Sequence, residues 1–102
     1  MSATILHIDE IVSDPKIRGG RPVIKGTGLK VSDIWLIHTT GDKLSAEVIA
    51  EHYGLKLGQV YAALAYYHLH KAEIDRETRT DAEDAERLIQ DFEAQGKLTR
   101  LD

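Results

Sequence analysis

The chain has no cysteine among its 102 residues. That excludes a disulfide framework and thiolate metal sites, and it suits a reducing compartment. A long apolar run is missing too. The stretch MSATILHIDEIVSDPK alternates apolar and polar residues, so it reads as neither a signal peptide nor a membrane span, and a cytoplasmic protein is expected. Positive charge is not in excess. The net charge is −4 and the pI near 5.7, so bulk charge gives no argument for nucleic acid. The sequence GTG at residues 26–28 falls far short of GxGxxG or GK[ST]. No serine sits in a nucleophile elbow. No catalytic residue, metal site or cofactor is expected, and the chain does not read as an enzyme.

What is present reads as one small domain. At 42% hydrophobic residues the core is thin, so an oligomer or a partner is a reasonable source of extra stability. Charge is unevenly placed. Residues 1–70 hold seven Lys/Arg and seven Asp/Glu, whereas residues 71–102 hold six against ten and supply the whole −4. Within the neutral part, Lys16, Arg18, Arg21, Lys25 and Lys30 crowd together with no acid among them. Such a patch is a local option for phosphate contact.

Residues 4–12 are rich in β-branched side chains and predict a short strand. SDP stops it, and PVIKGTGLKV reads as a second extended segment with a turn or bulge at Gly26–Gly28. Two strands alone are marginal in water, so this ribbon must pack on the helices or pair with a second copy. Helical periodicity begins at Val31. Ser32 is the expected cap and Gly41 the stop, with Ile34, Trp35, Ile37 and His38 as the apolar face. Ser45 caps the next helix, Val48, Ile49 and Tyr53 face inward, and Gly54 ends it. A third helix starts near Leu57 or Gly58 and runs to about His70, with Val60, Ala63, Leu64 and Tyr67 as its inner stripe. DRETRT reads as a charged connection. A last helix then starts at a capping box of Thr80 and Glu83 and stops at Gly96. Its stripe is Ala82, Ala85, Leu88, Ile89 and Phe92.

The segment SAEVIAEHYGLKLGQVYAALAYY has the layout of a helix-turn-helix. Ala50 is the small residue inside the first helix, Gly54 the turn residue that accepts positive φ, and Leu55 and Val60 the buried positions beyond. The DNA-reading signal is thinner. Among the outward candidates Lys56, Gln59, Tyr61 and Ala62, only Lys56 and Gln59 suit base or phosphate contact. Two readings stay open: a DNA-binding element, or a packing unit that never meets DNA. The last helix likewise has two readings, a stripe that packs on the chain's own fold or a second copy, and a helix laid into a partner's groove. His68 and His70 lie about 200° apart round a helix, so they do not converge on a metal. All five histidines read as ordinary core-edge or surface residues.

SDPKIRGGRPVIKGT, the short helix ending at Gly41, LSAEVIAEHYGL and VYAALAYYHLHKAEID together resemble the domain-of-unknown-function family numbered 433. The matching positions include Gly20, Pro22, Ile24, Gly26, Thr27, Gly41, Ala62, Ala63, Leu64 and Tyr66. Two departures stand out: Gly28, where the family most often carries Arg, and Gly58, where an acid is usual. The resemblance implies a mainly α fold, a tri-helical, homeodomain-like helix-turn-helix bundle with an N-terminal β-ribbon, here followed by an acidic amphipathic C-terminal helix. Residues 1–76 would form the domain and 77–102 the tail. It implies an antitoxin of VapB type that neutralises a PIN-like ribonuclease toxin, with binding to its own promoter as a secondary activity; the two-strand ribbon and thin core make a homodimer the expected state. The alternative is a stand-alone helix-turn-helix transcriptional regulator. The expected DNA contacts are Lys16, Arg18, Arg21, Lys25, Lys30, Lys56 and Gln59. The expected toxin contacts are Arg87, Leu88, Ile89 and Phe92.

Overall fold

The computed structural model describes residues 3 and 9–94. Strand β1 (Ile11–Val12) pairs antiparallel with β2 (Val23–Ile24), Ile11 opposite Ile24 and Val12 opposite Val23. Of the strand expected over 4–12, residues 4–8 lie outside the described residues. The ribbon has a third extended piece that local sequence signals do not reveal. The chain turns back after β2, Val23 bridges Lys30, and the Val31 amide donates to the Pro22 carbonyl at 3.0 Å. The turn is closed by Thr27, whose hydroxyl donates to the Ile24 carbonyl (2.8 Å) and accepts from the Leu29 amide (3.1 Å), while Gly26 takes φ +78. The β2 segment therefore bonds on both sides, which removes the need for a second copy to complete it.

Four helices follow: α1 (Val31–Thr39), α2 (Ala46–Tyr53), α3 (Leu57–Leu69) and α4 (Lys71–Ala94). Helix α1 starts one residue earlier than a Ser32 cap requires. Lys30 is its N-cap, the Asp33 carboxylate accepts from the Lys30 amide at 3.2 Å, and Ser32 is buried inside the first turn. Ser45 caps α2 by accepting from the Val48 amide at 3.2 Å. Gly54 ends it in the left-handed region, at φ +67, its amide bonding back to the Ala50 and Glu51 carbonyls.

The core gathers Ile24, Val31, Ile34, Ala46, Ile49, Ala50, Val60, Ala63, Tyr67 and Ile74, with Trp35, Leu55 and Leu64 packed against it. The buried face of α2 is thus Ala46, Ile49 and Ala50. Val48 and Tyr53, expected inside, are exposed instead. The cause is that the two alanines let α2 lie close to its neighbours, so the face with the smallest side chains turns inward. Trp35 of α1 stacks on Tyr67 of α3 at 3.8 Å between ring centroids, locking the two helices face to face.

The largest correction concerns the end of the chain. No charged connection separates the third helix from the last. Helix α3 breaks only at His70, whose backbone leaves the helical region at φ −129, ψ 37. Helix α4 then runs unbroken for 24 residues through DRETRT and past the supposed cap at Thr80. Those residues include neither Gly nor Pro, and Glu, Arg and Lys are good helix formers. Ile74, fully buried, pins its first turn to the core.

Candidate interaction surfaces

Two parts of the molecule carry the residues singled out in the sequence: α4, and the outer face of the α2–α3 pair. The root of α4 is held by several independent contacts. Tyr67 donates from its hydroxyl to the Asp75 carboxylate at 2.8 Å, and burial together with that acid pushes the phenol up to about 12. Asp81 accepts from Arg21 on one oxygen and from Lys30 on the other, each at 2.9 Å. Burial works against the ionised Asp81, but the hydrogen bond and charge of Lys30, joined by Arg21, outweigh it and hold the carboxyl below its ordinary value. Glu77 lies beside this clamp with its Oε2 buried and without a hydrogen-bond partner among the described residues. Burial pushes its carboxyl up, Arg21 and Lys30 pull it back, and Asp81 and Glu73 add to the rise.

Beyond Asp81 the burial ends. From Ala82 to Ala94 every described side chain is exposed except Ile89, which is half-buried. Contact between α4 and the body therefore ends after Asp81. A 24-residue helix is about 36 Å long, and the molecule measures 66 × 28 × 23 Å. The distal half of α4 thus extends past the bundle. Leu88 is 56% exposed there, and Arg87 reaches Asp84 of its own helix at 3.5 Å. Phe92 belongs to the helix, but its side chain lies outside the described residues. Residues 82–94 hold Glu83, Asp84, Glu86, Asp91 and Glu93 against Arg87 alone. The distal half is an apolar stripe in an acidic setting.

The basic residues are dispersed in role. Arg21 and Lys30 are engaged by Asp81, so neither is a free phosphate contact while α4 is docked. Arg18, at φ +51, donates from Nε to the Gly28 carbonyl at 3.0 Å. Its guanidinium lies 3.5 Å from where a Cβ on Gly28 would stand, so a cation from elsewhere in the chain covers that glycine. Lys16, Lys25 and Lys56 are exposed. Lys56 is the N-cap of α3, and its amide donates to the Gln59 side-chain oxygen at 2.8 Å, so Gln59 spends its acceptor on its own helix. Ala62, expected to face out, is buried. Tyr61 points outward and its hydroxyl reaches Glu47 at 3.4 Å, which brings an acid beside the helix that would read DNA.

Four histidines have local partners: His38 bonds the Leu44 carbonyl at 2.8 Å, His52 packs edge-on to Tyr53, His68 packs edge-on to Trp35, and His70 stacks on Tyr66. His7 lies outside the described residues. Among the described residues no three His, Asp or Glu are grouped to hold a metal ion. No helix among them is long and apolar enough to cross a membrane.

The family described as "Protein of unknown function (DUF433)" matches this sequence over residues 11–67. No curated protein matches. Among solved structures, the chain is similar to a DUF433 member protein from Anabaena variabilis ATCC 29413. That likeness has 30% sequence identity and a TM-score of 0.53, and it covers 68% of this chain and 67% of the other.

Proposed function

The chain belongs to the DUF433 family, and with that as premise we propose that it is an antitoxin, a binding protein that neutralises a PIN-like ribonuclease toxin by protein–protein contact. The observation that carries this reading is the division of α4 at Asp81. The helix is clamped to the body up to that residue and then extends with Leu88 exposed among acids. A ribonuclease must bind RNA and so presents basic residues around its cleft. An acidic helix with an apolar stripe suits such a rim, with Leu88, Ile89 and Phe92 as anchors in a groove. On this reading Arg87 would leave Asp84 and meet the carboxylates that gather a catalytic metal in the toxin. Anchors should dominate over rim charges, because exposed ion pairs contribute about 0–1 kcal/mol each, whereas a truncated hot-spot anchor costs about 2 kcal/mol or more.

The test is titration of the co-encoded toxin with the intact chain and with a chain ending at Asp81. Loss of inhibition on truncation supports the reading. Equal inhibition by the shortened chain removes the distal half of α4 from the inhibitory role.

A second reading, promoter binding, is favoured by the helix-turn-helix geometry itself, with Lys56 at the start of α3. The exposed cations Lys16, Lys25 and Lys56 would meet phosphates. Replacing any one of them by alanine should then reduce the salt slope of binding by roughly one. A chain that shifts no upstream DNA at low salt, with or without its toxin, lacks this activity.

A further inference from the structure

The two cations that Asp81 engages are placed by the ribbon and by the start of α1. Helix α4 has no part in placing their backbones. The Arg21 amide donates to the Arg18 carbonyl at 3.2 Å, and the Val31 amide to the Pro22 carbonyl at 3.0 Å. Val23 bridges Lys30, whose amide donates to Asp33 at 3.2 Å. Arg21 and Lys30 thus stand side by side, close enough for one carboxylate to accept from each at 2.9 Å. Asp33, on α1 itself, keeps one oxygen 4.0 Å from the Lys30 ammonium while the other accepts from the backbone. A pair of cations held this way fits an oxyanion that offers two oxygens.

We propose that the docked root of α4 is an autoinhibitory strap: Asp81 occupies a phosphate site made by Arg21 and Lys30, and a nucleic-acid backbone binds there only when the strap lifts. The strap does not depend on the antitoxin reading, and it rests on the promoter reading only for the class of ligand.

The first support is access. The Asp81 side chain is 33% exposed and borders an open cleft of about 280 Å³ between α1 and α4, so a competing anion reaches the pair without unfolding the core. The second is fit. Helix α4 brings more acid than the two cations satisfy. Glu77 faces the same pair, yet its buried Oε2 has no hydrogen-bond partner among the described residues, and Asp81 and Glu73 crowd it with like charge. Lifting the strap returns that carboxylate to water, which eases release. The third is setting. Lys16, Arg18 and Lys25 share the acid-free stretch of Arg21 and Lys30, so the ribbon without α4 presents five cations to a polyanion. The motion needed is small. Asp81 lies about 10 Å along the helix from the fully buried Ile74, and a tilt of about 25° there lifts it by about 4 Å, which parts both bonds.

The test is binding of the intact chain to a short fluorescent DNA duplex of arbitrary sequence at low salt, read by anisotropy. Asp81→Asn should bind at least about fivefold tighter than the parent, because the competent state no longer has to be released. Glu83→Gln removes the same charge from an exposed position of α4 and should tighten binding less than about twofold. Both variants should keep the circular dichroism of the parent. Arg21→Ala should weaken the Asp81→Asn chain at least about fivefold and the parent less than about twofold, since in the parent the lost phosphate contact is offset by a loosened strap. Equal gains from Asp81→Asn and Glu83→Gln overturn the proposal, because net charge then explains them. Equal losses from Arg21→Ala in the two chains overturn it too, because Arg21 is then not masked. So does failure of every chain, Asp81→Asn included, to bind the duplex. A parent that shifts no upstream DNA beside an Asp81→Asn chain that binds the arbitrary duplex removes the promoter reading and upholds the strap.

Discussion

Helix α4 contains two regions that share one backbone and differ in everything else. Up to Asp81 its side chains are tied to the body: Ile74 in the core, Asp75 under Tyr67, Asp81 between Arg21 and Lys30. After Asp81, Arg87 turns to Asp84 and Gln90 to Glu86, both within the helix itself. Local (i, i+3) and (i, i+4) pairs of this kind stabilise a helix by only about 0.2–0.5 kcal/mol each. The proximal half is therefore a structural element. The distal half is helical by composition and by continuity with an anchored start, since a helix that need not nucleate propagates cheaply. A surface can be held out for a partner because its root is held in.

The sharpest way to break this comparison is to exchange the sites of damage. Ile74→Ala should cost about 2–5 kcal/mol of stability, as a fully buried aliphatic side chain does when truncated. Urea denaturation followed by circular dichroism measures it. Leu88→Ala in the same assay should change stability by less than about 0.5 kcal/mol. Equal losses at the two positions would mean that the distal half is not free.

On the proposed antitoxin reading the order should reverse in toxin binding. Leu88→Ala should weaken the complex by about 2 kcal/mol, close to thirtyfold in Kd, whereas Glu83→Ala should change it less than about fivefold, because an exposed charge contributes at most about 1 kcal/mol. Isothermal titration with the co-encoded toxin separates the two. A rim charge that matters more than the leucine would point to electrostatic rather than apolar docking.

The clamp gives a smaller, pH-dependent effect. The Asp81 carboxyl titrates below its ordinary value in the folded chain. Its contribution is therefore fully present above the unfolded value and is lost as pH falls through the lower folded value. Asp81→Asn should cost about 1 kcal/mol at neutral pH, an amount already discounted for partial exposure. The difference from the parent should shrink toward zero in strong acid. A constant difference across the acid range would assign the effect to shape and not to charge.

Glu77 should show the opposite sign. Its folded carboxyl titrates above its ordinary value, so the ionised form is the disfavoured one. The penalty is absent below the unfolded value and grows as pH rises through the folded one. Glu77→Gln should therefore leave stability near pH 4 almost unchanged and raise it at neutral pH by less than about 1 kcal/mol. A loss at neutral pH would show that the carboxylate has a partner, such as a bridging water at the buried oxygen.

Much of the bundle was legible from residues close together in the chain. Ser45, Gly54 and the inner stripe of α3 mark helix ends and a buried face because caps, left-handed stops and helical periodicity are local signals. Local signals also misled. Val48 and Tyr53 look like core by hydrophobicity, yet the alanines of α2 pack inward because close helix approach rewards small side chains. Thr80 and Glu83 look like a cap, but a cap acts only where a helix begins, and α4 has begun at Lys71.

The sequence by itself determined the first three helices, the Gly54 turn, the absence of thiol chemistry and the acidic, striped character of the end of the chain, because each is a property of neighbouring residues or of composition. The tertiary structure alone decided which charges are engaged. Arg21 and Lys30 read as a phosphate patch along the chain, but they meet an aspartate 60 and 51 residues away. It also decided that Gly58, Tyr61 and Ala65 border an open groove, with Ala62 buried at its floor. The physical reason is that periodicity marks the inner stripe of α3 but does not say how far its other apolar residues, Ala62, Ala65 and Leu69, are covered by the rest of the chain. Only the side on which α1, α2 and the ribbon pack settles which face is buried and which remains open.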